Sequence, residues 1–200
     1  MASMLERPAA FRVMSRALVL LLLLLTLGSA PVRGASPEEP NLTPEAYLPF
    51  ISLPACNPND QEKQIAALMI SDPGQQRASL TCHPALAQVA RERALDMVNR
   101  RYFDHTNPDG YGPNYLVRQA GYVLPSYYGT TLTANNVESI AAGNPTASLT
   151  WAQWMNSPGH KVHLLGTVPF FAEQIEYGIG YASGGVYGHY WVVITAKPGP

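Results

Sequence analysis

The 200-residue sequence lacks features that are typical of several common classes of protein. Its 13 Lys and Arg and 14 Asp and Glu give a net charge of −1, and no basic patch is available to bind the phosphates of nucleic acid. It contains no Gly-X-Ser-X-Gly motif, no His-Glu-X-X-His motif and no internal repeat. These absences argue against a nucleic-acid-binding protein, a hydrolase with a nucleophile elbow, a zinc site of fixed helical spacing and a repeat protein.

The sequence has one long apolar run, Ala17–Leu27, near its N-terminus. Arginines precede the run and small residues follow it, which is the pattern of a secretory signal peptide. Its 11 residues are fewer than the roughly 20 that a bilayer-spanning helix needs, and no cysteine follows it for lipid attachment. We therefore expect residues 1–34 to be a signal peptide, cleaved after Ala30 or Gly34, and the mature chain to be secreted without a stable transmembrane anchor.

The mature part of the chain has the size and composition of a single domain. Without residues 1–34 it has 166 residues, with 9 basic and 13 acidic side chains. Residues 35–58 hold six of the 18 prolines and predict a Pro-rich linker or an N-terminal strap laid over the domain. The hydrophobic content of 46% is enough for a substantial core. We expect one domain over residues 59–200, and a monomer.

Cys56 and Cys82 are the only cysteines, and both lie in the mature part. In an oxidising compartment an isolated pair of this kind is more often bridged than free. We therefore predict a disulfide with a structural role, in preference to a metal-binding or redox role. On the chain-entropy model, closing a loop of about 27 residues stabilises the fold by roughly 3 kcal/mol.

Apolar periodicity predicts helices in the first part of the domain and strands in the last. The predicted helices cover residues 60–71, 84–101, 114–120 and 145–156. The most strongly patterned of them begins at Pro84 and buries a stripe that includes Arg93. Two strands, 177–183 and 186–196, are joined at Gly184-Gly185 and predict a β-hairpin. This order of elements predicts an α+β sandwich.

Four short segments follow one another in the second half of the chain. They are Phe103-Asp104-His105, Val137-Glu138-Ser139-Ile140-Ala141, Trp154-Met155-Asn156-Ser157-Pro158-Gly159-His160 and Gly188-His189-Tyr190-Trp191. Their order and spacing resemble the CAP superfamily, named for cysteine-rich secretory, antigen-five and pathogenesis-related proteins, and most closely its bacterial secreted branch. The resemblance covers about residues 60–196. It implies a single-domain three-layer α-β-α sandwich and an extracellular role in lipid or sterol binding, signalling or defence, with no agreed common reaction.

The same resemblance implies a polar cavity that contains His105, Glu138 and His189. Glu138 is the strongest candidate, because its apolar neighbours make a carboxylate expensive to bury without a partner such as a histidine or a metal. The alternative is that Ser139 faces the cavity and Glu138 faces solvent. Along its strand, His189 faces either the cavity or the surface. Bacterial relatives often align a Tyr-Trp pair here, which would put Tyr190 at the histidine position.

The chain departs from the family pattern at several positions. Ser157 stands where animal and plant members carry a second acid, and His160, in the bacterial Ser-Pro-Gly-His segment, is the candidate for that corner of the cavity. His160 is equally a candidate for a helix cap or for a hydrogen bond to the neighbouring loop. Ser139 replaces the usual Asn after the glutamate, and His163 stands where relatives often carry Asn.

Three interpretations are compatible with these side chains. We favour a secreted binding or effector module whose ligand is a lipid, a glycan, a peptide or a cell-wall fragment. The alternative is a hydrolase of peptides or cell-wall polymers, in which a general base or a metal-activated water acts. The catalytic candidates are then Glu138, His105 and His189. In the third interpretation, the polar cluster is a satisfied network that only specifies the fold.

The same cluster suggests a metal. Two histidines and a carboxylate suit zinc or another divalent cation, although the sequence fixes no cofactor. The predicted ligands are His105, Glu138 and His189, with His160 as a further candidate.

Overall fold

The computed structural model describes residues 55–199. In this part of the chain it has six α-helices, one short 3-10 helix and one four-stranded sheet. The helices are α1 (Asp60–Ser71), α2 (Pro84–Arg100), α3 (Pro113–Gln119), α4 (Ala147–Met155), α5 (Pro158–Leu165) and α6 (Pro169–Ala172). The strands are β1 (Thr81–Cys82), β2 (Glu138–Ala142), β3 (Glu176–Gly184) and β4 (Gly188–Ala196). The predicted signal peptide, and residues 35–54 of the predicted linker or strap, lie outside the described residues.

The sheet has the strand order β1-β3-β4-β2. β1 pairs parallel with β3, whereas β3 with β4 and β4 with β2 pair antiparallel. The predicted hairpin is confirmed, although β4 begins at Gly188, so that its loop is residues 185–187. Within the described residues β2 is an edge strand, paired with β4 alone, and Glu138 lies opposite Ile194. The candidate site is built where this edge strand begins.

Helices cover both faces of the sheet, because side chains alternate along β2 and β4. α2 packs on one face, over Tyr190, Val192 and Ile194. α1 and α4 belong to the other face, in the core that contains Trp191 and Val193. This arrangement is the expected three-layer α-β-α sandwich.

Two glycines in β3 let α2 lie directly on the sheet. A Cβ at Gly178 would come within 2.1 Å of the Leu86 carbonyl carbon, and one at Gly180 within 2.1 Å of the Ala90 carbonyl oxygen. A side chain at either position would push α2 away from the close-packed core. Neither glycine is distinctive in the sequence, because the close approach exists only once the helix and the strand are packed together.

The predicted helices are all present, and α5 and α6 have no counterpart among the predictions. α4 begins at Ala147 instead of Pro145, because the Thr146 side chain caps the helix by accepting from the Leu149 N–H. α5 follows after two residues and begins at a proline. Its first turn carries His160, so this short helix is the element that positions one of the candidate residues.

The Cys56–Cys82 disulfide is confirmed, with an S–S distance of 2.06 Å. Arg91 in α2 reinforces the same junction. Its guanidinium donates to the Cys56 carbonyl (2.6 Å) and pairs with the buried Glu62 carboxylate of α1 (2.7 Å). The segment just before α1 is therefore fixed to both of the first two helices.

Candidate functional site

Glu138, the first residue of β2, is buried and contacts two other functional side chains. Arg93 of α2 donates from Nε to Oε2 (2.9 Å) and from Nη2 to Oε1 (3.3 Å). His105 places Nδ1 2.9 Å from Oε1. Both carboxylate oxygens are engaged, and the charge partner of Glu138 is an arginine.

Asn135 fixes the backbone that carries Glu138. Its Oδ1 accepts from the Glu138 N–H (2.9 Å), and its Nδ2 donates to the Glu138 carbonyl (3.2 Å). These backbone groups point to the outer edge of β2, where no strand of the described chain pairs with them. The amide side chain satisfies them instead and fixes the first residue of the strand.

Arg93 also holds the loop that carries His105. Its guanidinium donates to the carbonyl oxygens of Asp104 (2.8 Å) and His105 (3.0 Å), and to the Tyr102 hydroxyl. Burial alone would lower the pKa of Arg93, but the nearby Glu138 carboxylate and Tyr102 hydroxyl together outweigh that effect, and the pKa is raised. Arg93 therefore stays charged and neutralises Glu138.

His105 presents one ring nitrogen to an open cleft beside β2. An ionised carboxylate can only accept hydrogen bonds, so Nδ1 of His105 donates to Glu138. In the neutral imidazole, Nε2 then carries the lone pair. The side chain is 39% exposed. His105 is thus a fixed and accessible hydrogen-bond acceptor.

His160 lies in the first turn of α5 and lines the same cleft. Its Nδ1 is 2.8 Å from the hydroxyl of Ser157, the N-cap residue of the helix. Burial, and to a smaller extent the neighbouring His105 imidazole, lowers the pKa of His160. The ring is therefore neutral at pH 7. Of the roles expected for His160, the structure shows the cavity position together with a contact to the helix cap.

His105 and His160 stand where two lobes of one cleft meet. The inner lobe and the outer lobe each have a volume of about 240 Å³, and both histidines line both lobes. The inner lobe is also lined by Asn135, Asn136, Glu138, Ser139, Ser157, Gly159, His163 and Phe171. The outer lobe is also lined by Phe103, Asp104 and Ile140. The two lobes together are called the site cleft below.

A separate cavity of about 430 Å³, larger than either lobe alone, lies between α2 and α3. It is lined by Glu92 and Asp96 along the solvent side of α2, and by Leu116 and Ala120 of the α3 region. It contains no histidine, and the Arg93 side chain that borders it is committed to Glu138. The histidines and Glu138 converge on the site cleft, which is therefore the candidate site.

A second polar network lies on the opposite face of the sheet. The Gln174 side-chain N–H donates to the Asn136 carbonyl (2.8 Å), so its Oε1 accepts from the Thr195 hydroxyl (2.6 Å). Thr195 Oγ1 then accepts from His163 Nε2 (2.7 Å), which leaves His163 Nδ1 to accept from the Ser139 hydroxyl (2.7 Å). The hydrogen bonds therefore run in one direction, from Ser139 to Asn136.

The Ser139–His163 pair has the spacing of a nucleophile and its base but the wrong electrostatics. Burial lowers the pKa of His163 to about 3, whereas a general base works best with a pKa near the operating pH. Ser139 is only 2% exposed. The pair is therefore a structural hydrogen bond. Ser139 and His163 both depart from the family pattern. Their hydrogen bond accounts for both departures, because each side chain supplies a hydrogen-bonding partner for the other.

The structure does not bring His189 to the site cleft. Glu138 pairs with Ile194, and His189 lies five residues further along β4, about 17 Å away at 3.4 Å per residue. His189 Nδ1 is 2.8 Å from the Tyr181 hydroxyl, and the two rings stack. Tyr190, the alternative at this position, is buried in the core beneath α2 and does not line the cleft either. The second cavity histidine is His160, because α5 carries it to the edge of β2.

The metal set expected from the sequence does not assemble. Residues 55–199 contain no group of three His, Cys, Asp or Glu side chains placed to hold one ion. Glu138 has both oxygens engaged, and His189 lies elsewhere. The histidines that line both lobes of the cleft are His105 and His160. Zinc binding stays a prediction, with these two residues in place of the three-ligand set.

Arg93 is the site residue that the sequence patterns did not single out. It falls on the buried stripe of α2, among apolar side chains. A charged side chain in such a stripe needs a partner of opposite charge. Glu138 is likewise a charged side chain flanked by apolar residues. Pairing these two isolated charges of opposite sign would have identified the Arg93–Glu138 ion pair.

The fold and the site define a three-layer α-β-α domain with an imidazole-lined cleft at its edge strand. The family model described as "CAP: Cysteine-rich secretory protein family" matches residues 73–195 of the sequence. The chain belongs to this family and is an extracellular-type CAP domain, which confirms the resemblance seen in the sequence.

Individual relatives agree with this assignment. The uncharacterized protein YkwD of Bacillus subtilis (strain 168) is 34% identical over 100 residues, which are 50% of this chain and 34% of that protein. The match therefore spans about a third of the relative. An outer surface protein from Borrelia burgdorferi shares the fold with a TM-score of 0.52 and 20% identity, over 70% of this chain and 96% of that one.

A further solved structure is an extracellular protein containing a SCP domain from Bacillus anthracis str. Ames. It matches with a TM-score of 0.50 and 25% identity, over 68% of this chain and 40% of that one. In the part of this chain that the structure describes, no helix combines the length and hydropathy needed to cross a membrane.

Proposed function

We propose that the chain is a secreted CAP domain that binds a polar ligand in the site cleft and releases it unchanged. The observation that carries this proposal is the pairing of Glu138 with Arg93 through both carboxylate oxygens. Among the described residues that line the inner lobe, Glu138 is the only carboxylate. With both oxygens engaged, it orients His105 and is not free to attack a substrate or take its proton.

A hydrolase with His105 as general base is the second candidate function. The Glu138–His105 contact favours it, because a carboxylate at Nδ1 fixes the ring and leaves Nε2 to take a proton. Two features weigh against it. Arg93 neutralises Glu138, so this carboxylate stabilises an imidazolium less than an unpaired one would. The described part of the chain also places no second acid in the inner lobe to protonate a leaving group.

Secretion is part of the proposal. The signal-like N-terminus, the Cys56–Cys82 bridge and membership of an extracellular family all support it. The disulfide stabilises the junction before α1 only where the compartment keeps it oxidised.

A binding and turnover experiment separates the two functions. Wild-type protein, the His105→Ala/His160→Ala variant and the His189→Ala variant are each incubated with purified peptidoglycan, phosphatidylcholine vesicles and a mixture of short peptides. Retention is measured by sedimentation or by equilibrium dialysis, and mass spectrometry of the soluble fraction detects any released fragment. His189→Ala is the matched control, because it removes a partly exposed histidine that lies outside the cleft.

We expect the wild type and His189→Ala to bind at least one of these materials without releasing fragments. The double variant should bind it at least about tenfold more weakly, which corresponds to about 1.4 kcal/mol. Fragment release by the wild type that is lost in the His105→Ala/His160→Ala variant would instead establish the hydrolase. Equal binding by all three proteins would remove the site cleft from the function.

A further inference from the structure

We propose that the ligand of the site cleft is an uncharged glycan, with one sugar ring in each lobe and Phe103 as the stacking surface of the outer lobe. The inference rests on the proposed binding function and names the class of molecule that is bound. It combines the charge of the lining, its hydrogen-bonding groups, its aromatic rim and the state of the β2 edge.

The inner lobe has no uncompensated charge to offer a charged ligand. Glu138 is paired with Arg93, the His105 ring is hydrogen-bonded to the same carboxylate, and His163 and His160 are neutral at pH 7. The remaining carboxylate of the cleft, Asp104, lies in the outer lobe. A phosphate or carboxylate group placed in the inner lobe would lose its hydration without gaining a counter-charge, which is unfavourable. The lining therefore favours a neutral ligand.

The cleft nevertheless presents several polar side chains to a ligand. His105 and His160 line the junction of the lobes, and Asn136 and Ser157 line the inner lobe. A hydroxyl both donates and accepts, so a sugar ring can satisfy imidazole nitrogens in either tautomer. An acyl chain would bury these groups without partners, which costs free energy. This set of groups selects a polyhydroxylated ligand over a lipid.

The outer lobe supplies an aromatic surface. Phe103 lines it, is 40% exposed, and packs edge-to-face against Tyr187 with 5.8 Å between ring centroids. Tyr187 and Val186 at the tip of the β3-β4 loop are also exposed. The flat carbon face of a sugar ring is apolar while its edge carries hydroxyls, so it can pack on Phe103 and still reach His105.

The volume of each lobe agrees with this division. About 240 Å³ equals the share of roughly eight waters at about 30 Å³ each. A substituted six-membered sugar ring displaces a comparable volume. Two linked rings would then place their glycosidic oxygen between His105 and His160, where the lobes meet.

An extended peptide is a poorer fit, because the outer edge of β2 is largely occupied. Asn135 satisfies both the N–H and the carbonyl of Glu138. The Trp154 indole donates to the Ile140 carbonyl (3.1 Å). A peptide that added itself to β2 as a fifth strand would find these groups already bonded.

Nuclear magnetic resonance titration tests the inference directly. Tetra-N-acetylchitotetraose and cellotetraose are the glycan probes, and penta-alanine, inorganic phosphate and phosphatidylcholine vesicles are the alternatives. The resonances followed are the imidazole groups of His105 and His160, with His189 as the internal reference outside the cleft. We expect saturable shifts of the first two with at least one glycan and none at His189.

Three variants test the stacking surface. Phe103→Leu keeps an apolar side chain but removes the ring, and should weaken glycan binding at least about fivefold, while Phe103→Trp restores it. Tyr127→Leu is the matched control, because Tyr127 is an exposed aromatic residue outside the cleft. Equal affinities for Phe103→Leu and the wild type would overturn the role of Phe103.

The outcomes also separate this inference from the proposed function. Shifts with penta-alanine, phosphate or vesicles but with neither glycan would overturn the glycan and leave the binding function standing. Shifts with none of the probes would count against both. In a separate titration, zinc is added before the glycan. If zinc blocks glycan binding, the two ligands use the same imidazole nitrogens, which supports the position assigned to the sugar.

Discussion

The two faces of the sheet at the start of β2 carry polar networks of opposite character. On the α2 face, Glu138 joins a charged arginine to a half-exposed histidine beside an open cleft. On the other face, the very next residue, Ser139, begins a neutral network that ends within the core. Both networks contain a histidine whose Nδ1 contacts a β2 side chain.

The difference lies in charge compensation and in access to solvent. A buried carboxylate is tolerable only with a counter-charge, and Arg93 supplies it while leaving one nitrogen of His105 open. His163 has no counter-charge, and burial keeps it neutral. The same residue type therefore lies open to the cleft on one face and specifies packing on the other. We therefore expect a change at His105 to affect ligand binding more than stability, and a change at Ser139 or His163 to affect stability.

Arg93→Met should have the largest effect on stability. It leaves the Glu138 carboxylate buried without a charge partner, which costs about 3–5 kcal/mol of the free energy of unfolding. Urea denaturation measures the loss. The control is Arg93→Met/Glu138→Leu, which removes both charges and should recover much of it. A loss below about 1 kcal/mol in the single variant would mean that the charge pair does not hold the α2 face together.

Acidification should destabilise the fold through His163. Its pKa is about 3 in the folded protein and 6.5 as the ordinary value, so between these limits the unfolded chain binds a proton that the folded chain does not. The free energy of unfolding should therefore fall by up to about 1.4 kcal/mol for each pH unit below 6.5, and His163 should contribute no pH dependence above it.

The control for the acid effect is His163→Asn, measured by urea denaturation from neutral pH to about pH 4.5. This variant is less stable than the wild type at neutral pH, and the gap should narrow on acidification because the variant has no imidazole to protonate. Parallel stability curves for the two proteins would show that His163 is not the group responsible.

Ser139→Ala should cost about 1–3 kcal/mol, because the buried Nδ1 of His163 loses its donor. A serine-reactive fluorophosphonate should label neither the variant nor the wild type. Ser139→Asn/His163→Asn restores the residues usual in the family and should recover part of the stability. Labelling of the wild type at Ser139 would contradict the structural role assigned to this network.

His105→Ala should have the smallest effect on stability, below about 1 kcal/mol, because the ring is partly exposed and Glu138 keeps both of its bonds to Arg93. It should nevertheless weaken ligand binding at least about tenfold. His105→Ala would then change ligand binding strongly and stability little, whereas Ser139→Ala should change stability more. This is the contrast expected between the two faces. Isothermal titration and urea denaturation on the same samples measure both.

The sequence predicted the α2 helix, the hairpin and the disulfide, because each depends on a local pattern or on a pair with no alternative partner. β2 was recognisable as a motif but not as a strand, since five residues carry little periodicity. His189 was expected in the cavity from a short Gly-His-aromatic segment. Its distance from Glu138 follows from the register of β4 against β2, and register is a tertiary property.

The sequence by itself determined the family, the three-layer architecture and two residues of the cleft, Glu138 and His105. Those follow from ordered motifs and from the cost of placing a charge among apolar neighbours. Only the tertiary structure decided that Arg93 neutralises Glu138, that His160 and not His189 completes the cleft, and that Ser139 and His163 close a network on the far face. The hydrogen bonds that the Glu138 and Ser139 side chains make join residues at least 24 positions apart, and folding alone fixes which distant side chains share one low-dielectric space.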